Sequence, residues 1–477
     1  MSTPATPTRR FLHKSAIYAI GDLLTKGSRF ILVPFYVAVF AKAEVGRLAV
    51  LQSITMASIA VLTLGLGFTI RRFHVDHESS TEAADKLVST LYWARNLGAI
   101  PLLCILGVAG WYYADSAATS IPFGLIAVAL VSGFFRSALN LYEARLLVRE
   151  EAVRYRIFTF CQFGCVTTAI IVAVVGLKLG VRGAVWAECL VTGIWFLGVT
   201  FVVTRRALPD MAAVDWKTIG TYSLPVIPHA VFMWALASSD RILLGGMVSE
   251  DEVAVYDIGY LIASVLSVCS NSMRAAWFPS FFREAHTTEG RKDYGQTATL
   301  YFGIVGLGAV ALVLFAPEIL QLLAKPGYAS ATGVARVVVP GIALMTMFVA
   351  ANQPLFYARA TGTIAAASGL GFVVNIASNV VLIPRLGIMG AAFSTILAYG
   401  AMAAFTFVMT QRRFAVTWNF ERLTLISLAA VVIAIAGSLF PSGTVLSFIS
   451  RLGLLAAASA AVFFLVKPTR GGLAVSR

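Results

Sequence analysis

Charge is scarce in this chain. Only 13% of its 477 residues are Asp, Glu, Lys or Arg, 58% are hydrophobic, and the mean hydropathy is +0.83. So much apolar surface cannot be hidden in one water-soluble core, which excludes a soluble globular domain and leaves a polytopic membrane protein. Cysteine is rare too. Cys104, Cys161, Cys165, Cys189 and Cys269 all lie in apolar runs, which argues against a disulfide framework or a metal cluster; Cys161 and Cys165, at helical spacing, read as packing residues. No GxxxxGK[ST] occurs, so nothing suggests direct ATP hydrolysis, and no cofactor is expected. Lys and Arg outnumber Asp and Glu by 37 to 23, yet they are scattered between apolar runs and form no continuous basic surface, which argues against nucleic acid. The sequence HVDHE, His74 to Glu78, has a metal-like look but no further ligands nearby, and reads as a solvated loop.

What the chain has in abundance is apolar runs of about 20 residues, the length a helix needs to cross the hydrocarbon. About fourteen spans are expected, near 15–40, 45–70, 87–110, 121–141, 157–177, 184–204, 220–245, 253–278, 296–316, 331–357, 363–383, 389–409, 422–440 and 447–466. The first run is too long and too charged for a signal peptide, so MSTPATPTRR is expected to remain as a short basic tail. Basic residues in alternate connections number about 23 on one side against about 8 on the other, which puts both termini in the cytoplasm.

An internal repeat organises these spans. GVRGAVWAECLVTGIWFLGVTFVVTRR, Gly180 to Arg206, aligns without gaps on GIMGAAFSTILAYGAMAAFTFVMTQRR, Gly387 to Arg413. AEVGRLA from Ala43 pairs with DEVAVYD from Asp251 at nearly the same offset. The fold class expected is an all-α integral membrane protein with two six-helix lobes in parallel repeat and two C-terminal helices. The expected domains are a cytoplasmic tail at 1–14, a first lobe at 15–204, a cytoplasmic linker at 205–219, a second lobe at 220–409, spans 13 and 14 at 410–466, and a cytoplasmic tail at 467–477.

Charges inside the spans carry the functional reading. In span 1, Asp22, Lys26 and Arg29 fall within an arc of about 60° on a helix, with Ser15, Tyr18 and Tyr36 on the same stripe. Three such charges facing lipid would cost on the order of 8 to 10 kcal/mol, so they should face protein or a wet cavity. Further intramembrane charges are Arg95, Arg136, Glu188, Asp240, Arg241, Asp257 and Arg274. Cations outnumber anions in this set, which suits an anionic headgroup such as a phosphate or pyrophosphate. Lys26, Arg29, Arg95 and Arg274 are the candidate substrate-binding residues, and Asp22 and Glu188 are candidates for ion coupling or ion pairing. Arg136, Arg274, Asp240, Arg241 and Asp257 lie near span ends, where snorkelling or interfacial pairing is the competing explanation. Pro34, Pro225, Pro228, Pro340 and Pro354 can bend their helices for alternating access or for packing alone.

NIASNVVLIPRLGIMGAAFSTILAYG, Asn375 to Gly400, resembles the Asn, Pro, Gly-x-x-Gly-Ala-Ala pattern of Wzx-like polysaccharide flippases in the multidrug/oligosaccharidyl-lipid/polysaccharide exporter superfamily. PFYVAVFAKAEVGRLAVLQSI from Pro34, SSDRILLGGMVSEDEVAVYDIGYL from Ser238 and MRAAWFPSFFREA from Met273 are similar in order and spacing. The resemblance implies a non-enzymatic transporter in a bacterial inner membrane. It would turn an undecaprenyl-diphosphate-linked oligosaccharide from the cytoplasmic to the periplasmic leaflet for exopolysaccharide, capsule or O-antigen synthesis. Partners would be the lipid-linked oligosaccharide, the bilayer, and a polysaccharide polymerase with chain-length proteins. One alternative is a cation-coupled multidrug exporter of the same superfamily, with Asp22 as its cation site. Another is an O-antigen polymerase or ligase, although the longest outer connections hold only Asp115 and Glu318 as acids.

Overall fold

The computed structural model describes residues 32–73, 81–115, 119–149, 151–212, 214–224, 226–284, 287–358, 360–414, 416, 418–438 and 444–466, and every regular element among them is helical. After a helical stretch at 32–39 come α1 Lys42–Leu62, α2 Leu66–Phe73, α3 Thr81–Asp115, α4 Phe123–Val148, α5 Ala152–Ile171, α6 Gly180–Arg206, α7 Trp216–Ser223 and α8 Val226–Met247. There follow α9 Glu250–Glu284, α10 Thr288–Leu323, α11 Ala331–Tyr357, α12 Thr361–Leu386, α13 Ile388–Arg413, α14 Phe420–Ser438 and α15 Val445–Val466. Among the described residues twelve helices are long and apolar enough to cross a membrane, α7 and α8 counting as one. They match expected spans 2 to 12 and 14. Span 13 is the 19-residue α14, and the part of span 1 before residue 32, with Asp22, Lys26 and Arg29, lies outside the described residues. The protein is an all-helical, multi-pass membrane protein.

One expected span is interrupted. The run at 45–70 is not one helix but α1 and α2, separated at Thr63–Gly65, where Leu64 and Gly65 take φ of 55° and 68°. A right-handed helix cannot pass through left-handed residues, and the glycine in TLGLG makes that conformation accessible. In the run at 220–245, α7 and α8 flank residue 225, which lies outside the described residues.

The chain forms two compact units, Met1–Asp257 with Ile376–Ala391, and Ile258–Asn375 with Ala392–Arg477. In the first, α1 packs on α4 through small residues, which let backbones approach closely in lipid. A Cβ on Gly133 would lie 2.3 Å from the Ser58 Cβ and 2.7 Å from the Thr55 carbonyl, and the Thr55 hydroxyl donates to the Ala129 carbonyl at 3.2 Å. The α3–α6 seam is held by Tyr92 with Thr200, at 2.8 Å, and by Trp93 donating to Thr204, at 3.1 Å.

In the second unit Tyr294 of α10 donates to the Ala350 carbonyl of α11 at 2.5 Å, and Thr410 of α13 donates to the neighbouring Ala351 carbonyl at 2.7 Å. Arg451 of α15, fully buried, pairs with Glu318 of α10 at 2.5 Å, tying the last helix to the unit.

The sequence repeat has a structural counterpart in the first unit. Gly180 and Gly387 open α6 and α13 with φ of 61° and 56°. A Cβ on Gly180 would meet a Glu44 carboxylate oxygen at 3.5 Å, and one on Gly387 would meet Glu252 at 3.3 Å. Each copy thus sets a carboxylate against the positive N-terminal end of a helix, where negative charge is favourable.

Gly133→Val should lower stability by about 1–3 kcal/mol, because backbone stands where its side chain would go. Gly124→Val, on the same helix with open space around it, should leave the thermal midpoint in detergent unchanged; equal midpoints for the two variants would refute this account of the α1–α4 contact.

Candidate functional site

The helix break after Leu62 leaves carbonyl groups without intrahelical donors, and hydrocarbon offers no water to satisfy them. Arg95 of α3 meets this need. Its Nε donates to the Leu62 carbonyl at 2.9 Å, Nη2 donates to the Phe134 carbonyl at 2.7 Å and to the Ser137 hydroxyl, and Nη1 donates to Asn96 at 2.9 Å. The guanidinium also lies over the Phe134 ring, 4.3 Å from its centroid. A cation at a helix C-terminus opposes the negative end of the dipole, so the charge and the break stabilise each other. The end of α7 lies against the break: a Cβ on Gly65 would fall 2.6 Å from the Ser223 carbonyl. Discontinuous helices whose ends meet expose backbone dipoles inside the membrane, a recurrent way of building transport sites.

At the other end of α1, on the side the basic-residue count assigns to the outside, two segments converge on Glu250 at the start of α9. One carboxylate oxygen accepts from the Arg47 Nε at 2.7 Å, and the other accepts from the Ser120 backbone N–H at 3.1 Å and its hydroxyl at 2.6 Å. Gly46 allows this approach, since a Cβ there would lie 1.8 Å from the Glu250 carbonyl. Deeper lies a buried polar cluster. Asp240 accepts from Tyr256 at 2.5 Å and from the Asn379 amide at 2.7 Å, while Arg241 pairs with Asp257 at 3.0 Å and donates to the Ala237 carbonyl at 2.7 Å. The pairing explanation offered by the sequence for Arg241 and Asp257 matches this geometry.

The residues nominated by sequence are distributed as follows. Lys26, Arg29 and Asp22 fall outside the described residues. Arg95 is fully buried among protein partners. Glu188 on α6 is half-buried and acted on by the charge of Arg136, which lies 3.8 Å from Glu143. Arg274, in the second unit, is half-buried beside Phe278, 5.5 Å from its ring centroid. Within the first unit Arg95 and Glu188 have separate partners. The sequence reading did not single out Arg47 as half of a pair, nor Glu250, Tyr256 or Asn379. A signal was present: Arg47 lies inside AEVGRLA, and Glu250 immediately precedes its counterpart DEVAVYD.

Residues 11–284 match the model of the polysaccharide biosynthesis protein family, more than half of the chain. The chain belongs to that family. It is 22% identical over 281 residues to an Lsg locus protein of Haemophilus influenzae, covering 56% of this chain and 65% of that one. It is 24% identical over 324 residues to the "Probable flippase AglR" of Haloferax volcanii, covering 63% of each. The chain therefore spans under two thirds of the length of these curated relatives. Among solved structures it shares its fold with the lipid II flippase MurJ in an inward closed conformation, at a TM-score of 0.73 and 11% identity, covering 95% of this chain and 99% of that one. An inward-facing multidrug resistance MATE family transporter of the MOP superfamily matches at 0.62 and 17% identity, covering 83% and 98%. The fold is that of the superfamily the sequence resembles.

Because Arg95 binds two other helices from a buried position, Arg95→Lys should lower the thermal midpoint and the amount of protein in the membrane, the loss being on the order of 3 kcal/mol. A variant that kept the midpoint and membrane level but lost function would instead assign Arg95 to substrate.

Proposed function

We propose that this protein is a flippase that moves an undecaprenyl-diphosphate-linked oligosaccharide from the cytoplasmic to the periplasmic leaflet of a bacterial inner membrane, without catalysing chemistry on it. A diphosphate and its sugars cannot cross hydrocarbon unaided, so the carrier supplies a wet, cationic path while the polyprenyl tail stays in lipid. Lys26, Arg29 and Arg274 are the cations assigned to the headgroup. Arg95, given its burial, acts as the clamp that keeps the broken first-half helix in shape. Asp22 and Glu188 are carboxylates for ion coupling or for pairing with those cations, and both termini lie in the cytoplasm. A polymerase and chain-length proteins would take the delivered unit.

One observation carries the mechanism: the Arg47–Glu250–Ser120 contact joins the outer ends of expected spans 2, 4 and 8, drawn from both sequence repeats. In the alternating-access reading this latch closes the outer side, and it must open for release. The two lobes are taken as 15–204 and 220–409, rocking about the interrupted helices. The family match, which includes span 1, supports the choice of a lipid-linked glycan over a drug, and the Haloferax volcanii relative is called a probable flippase. The multidrug exporter stays as a second reading because a MATE transporter shares the fold.

Lys26→Ala with Arg29→Ala should cut surface polysaccharide by about tenfold or more at an unchanged membrane level, the scale expected when charge-assisted hydrogen bonds to a buried anion are lost; normal polymer output would overturn the assignment. For the latch, Arg47→Cys with Glu250→Cys in a background without the five native cysteines should stop export when bridged by a short reducible thiol crosslinker and regain it on reduction. Export that continues in the bridged protein would show that these ends need not separate.

A further inference from the structure

Asp85, in the second turn of α3, is surrounded by three arginines. Arg145 donates to one carboxylate oxygen through Nε at 3.2 Å and Nη2 at 2.9 Å, Arg149 reaches the same oxygen at 3.0 Å, and Arg206, the last residue of α6, lies 3.9 Å from the other. One carboxylate cannot match three guanidinium groups. The Arg145 Nη1 is buried without a hydrogen-bond partner. Of the neighbouring charges, Lys86 pairs with Asp210 at 2.7 Å and Arg154 with Glu151 at 2.9 Å, and Glu151 also acts on Arg149, so two carboxylates face the three arginines and Arg154. Burial, and next the adjacent Arg145, pull the Arg149 pKa below the ordinary guanidinium value. The side chains are 2%, 16% and 40% exposed for Arg145, Arg149 and Arg206, a gradient from the protein interior to its surface.

We propose that Arg149 and Arg206, backed by Arg145 and Asp85, form a binding site for the phosphate of an anionic phospholipid in the leaflet that the basic-residue count assigns to the cytoplasm. A phosphodiester has two non-bridging oxygens that share its negative charge and accept from fixed guanidinium forks, which is the complement this cluster lacks. A lipid source is favoured over free phosphate by the helix that carries Arg206. Ile194, Leu197 and Phe201 of α6 are exposed at helical spacing and lead directly to Arg205 and Arg206, and Arg205 lies 5.9 Å from the Phe201 ring centroid. An acyl chain can lie along that stripe with its headgroup at the arginines. The site would hold the α3, α4 and α6 ends to an anionic membrane surface.

The test uses the full chain in detergent, with lipid retention read by native mass spectrometry. Phosphatidylglycerol should be retained over phosphatidylcholine. Arg149→Gln with Arg206→Gln, which leaves the Arg145–Asp85 pair in place, should reduce that retention by about fivefold for each arginine removed. Arg149→Lys with Arg206→Lys should keep most of it, and Arg413→Gln, at an exposed arginine of α13, should change nothing. Equal retention of the two lipids, or a double Gln variant that still prefers phosphatidylglycerol, would overturn the proposal. Full displacement of phosphatidylglycerol by millimolar inorganic phosphate would overturn the lipid source. An unchanged thermal midpoint in lipid-free detergent shows that the variants are folded.

Discussion

A peptide carbonyl in hydrocarbon has no solvent to turn to, and the first unit is arranged around one such group, that of Leu62. Once Leu64 and Gly65 break the helix, a donor must come from elsewhere, and a neutral side chain would leave the dipole of α1 unopposed. Arg95 gives both charge and donors, and its remaining N–H groups reach α4 and its own neighbour Asn96. The break, the cation and the packing of α1, α3 and α4 are therefore one arrangement. The Ser223 carbonyl at the end of α7 lies against it through Gly65.

Charge is handled in the same way elsewhere. Arg241 with Asp257, Arg451 with Glu318 and Arg47 with Glu250 each set an arginine against a carboxylate from another helix. Burying a lone ion is far more costly than burying a pair with complete hydrogen bonds, so each pair also fixes which helices are neighbours. The cluster around Asp85 departs from this balance.

The succession of spans was legible because hydrophobic length is a local property: a run of twenty apolar residues announces itself without reference to the rest of the chain. The repeat was legible too, and its meaning became concrete in Glu44 beside Gly180 and Glu252 beside Gly387. Less could be read where the decisive partner is remote. Arg47 counted only as one basic residue on the outer side, since Glu250 is 203 positions away. Arg95 read as a cavity cation because an arginine in mid-span has no obvious local purpose, and its acceptors are backbone carbonyls that no side-chain pattern announces. The interruption in 45–70 was hidden for a related reason: TLGLG keeps the hydropathy of a span while allowing the backbone to turn.

Gly46 has a consequence for the contact between α1 and α9. With only a hydrogen where other residues carry a methyl group, main chain meets main chain at the start of α9, and the two ends come together as closely as atoms permit. The contact therefore owes its tightness to a missing atom. With alanine at that position the two main chains would have to part, and the Arg47–Glu250 ion pair beside them would have to reach further.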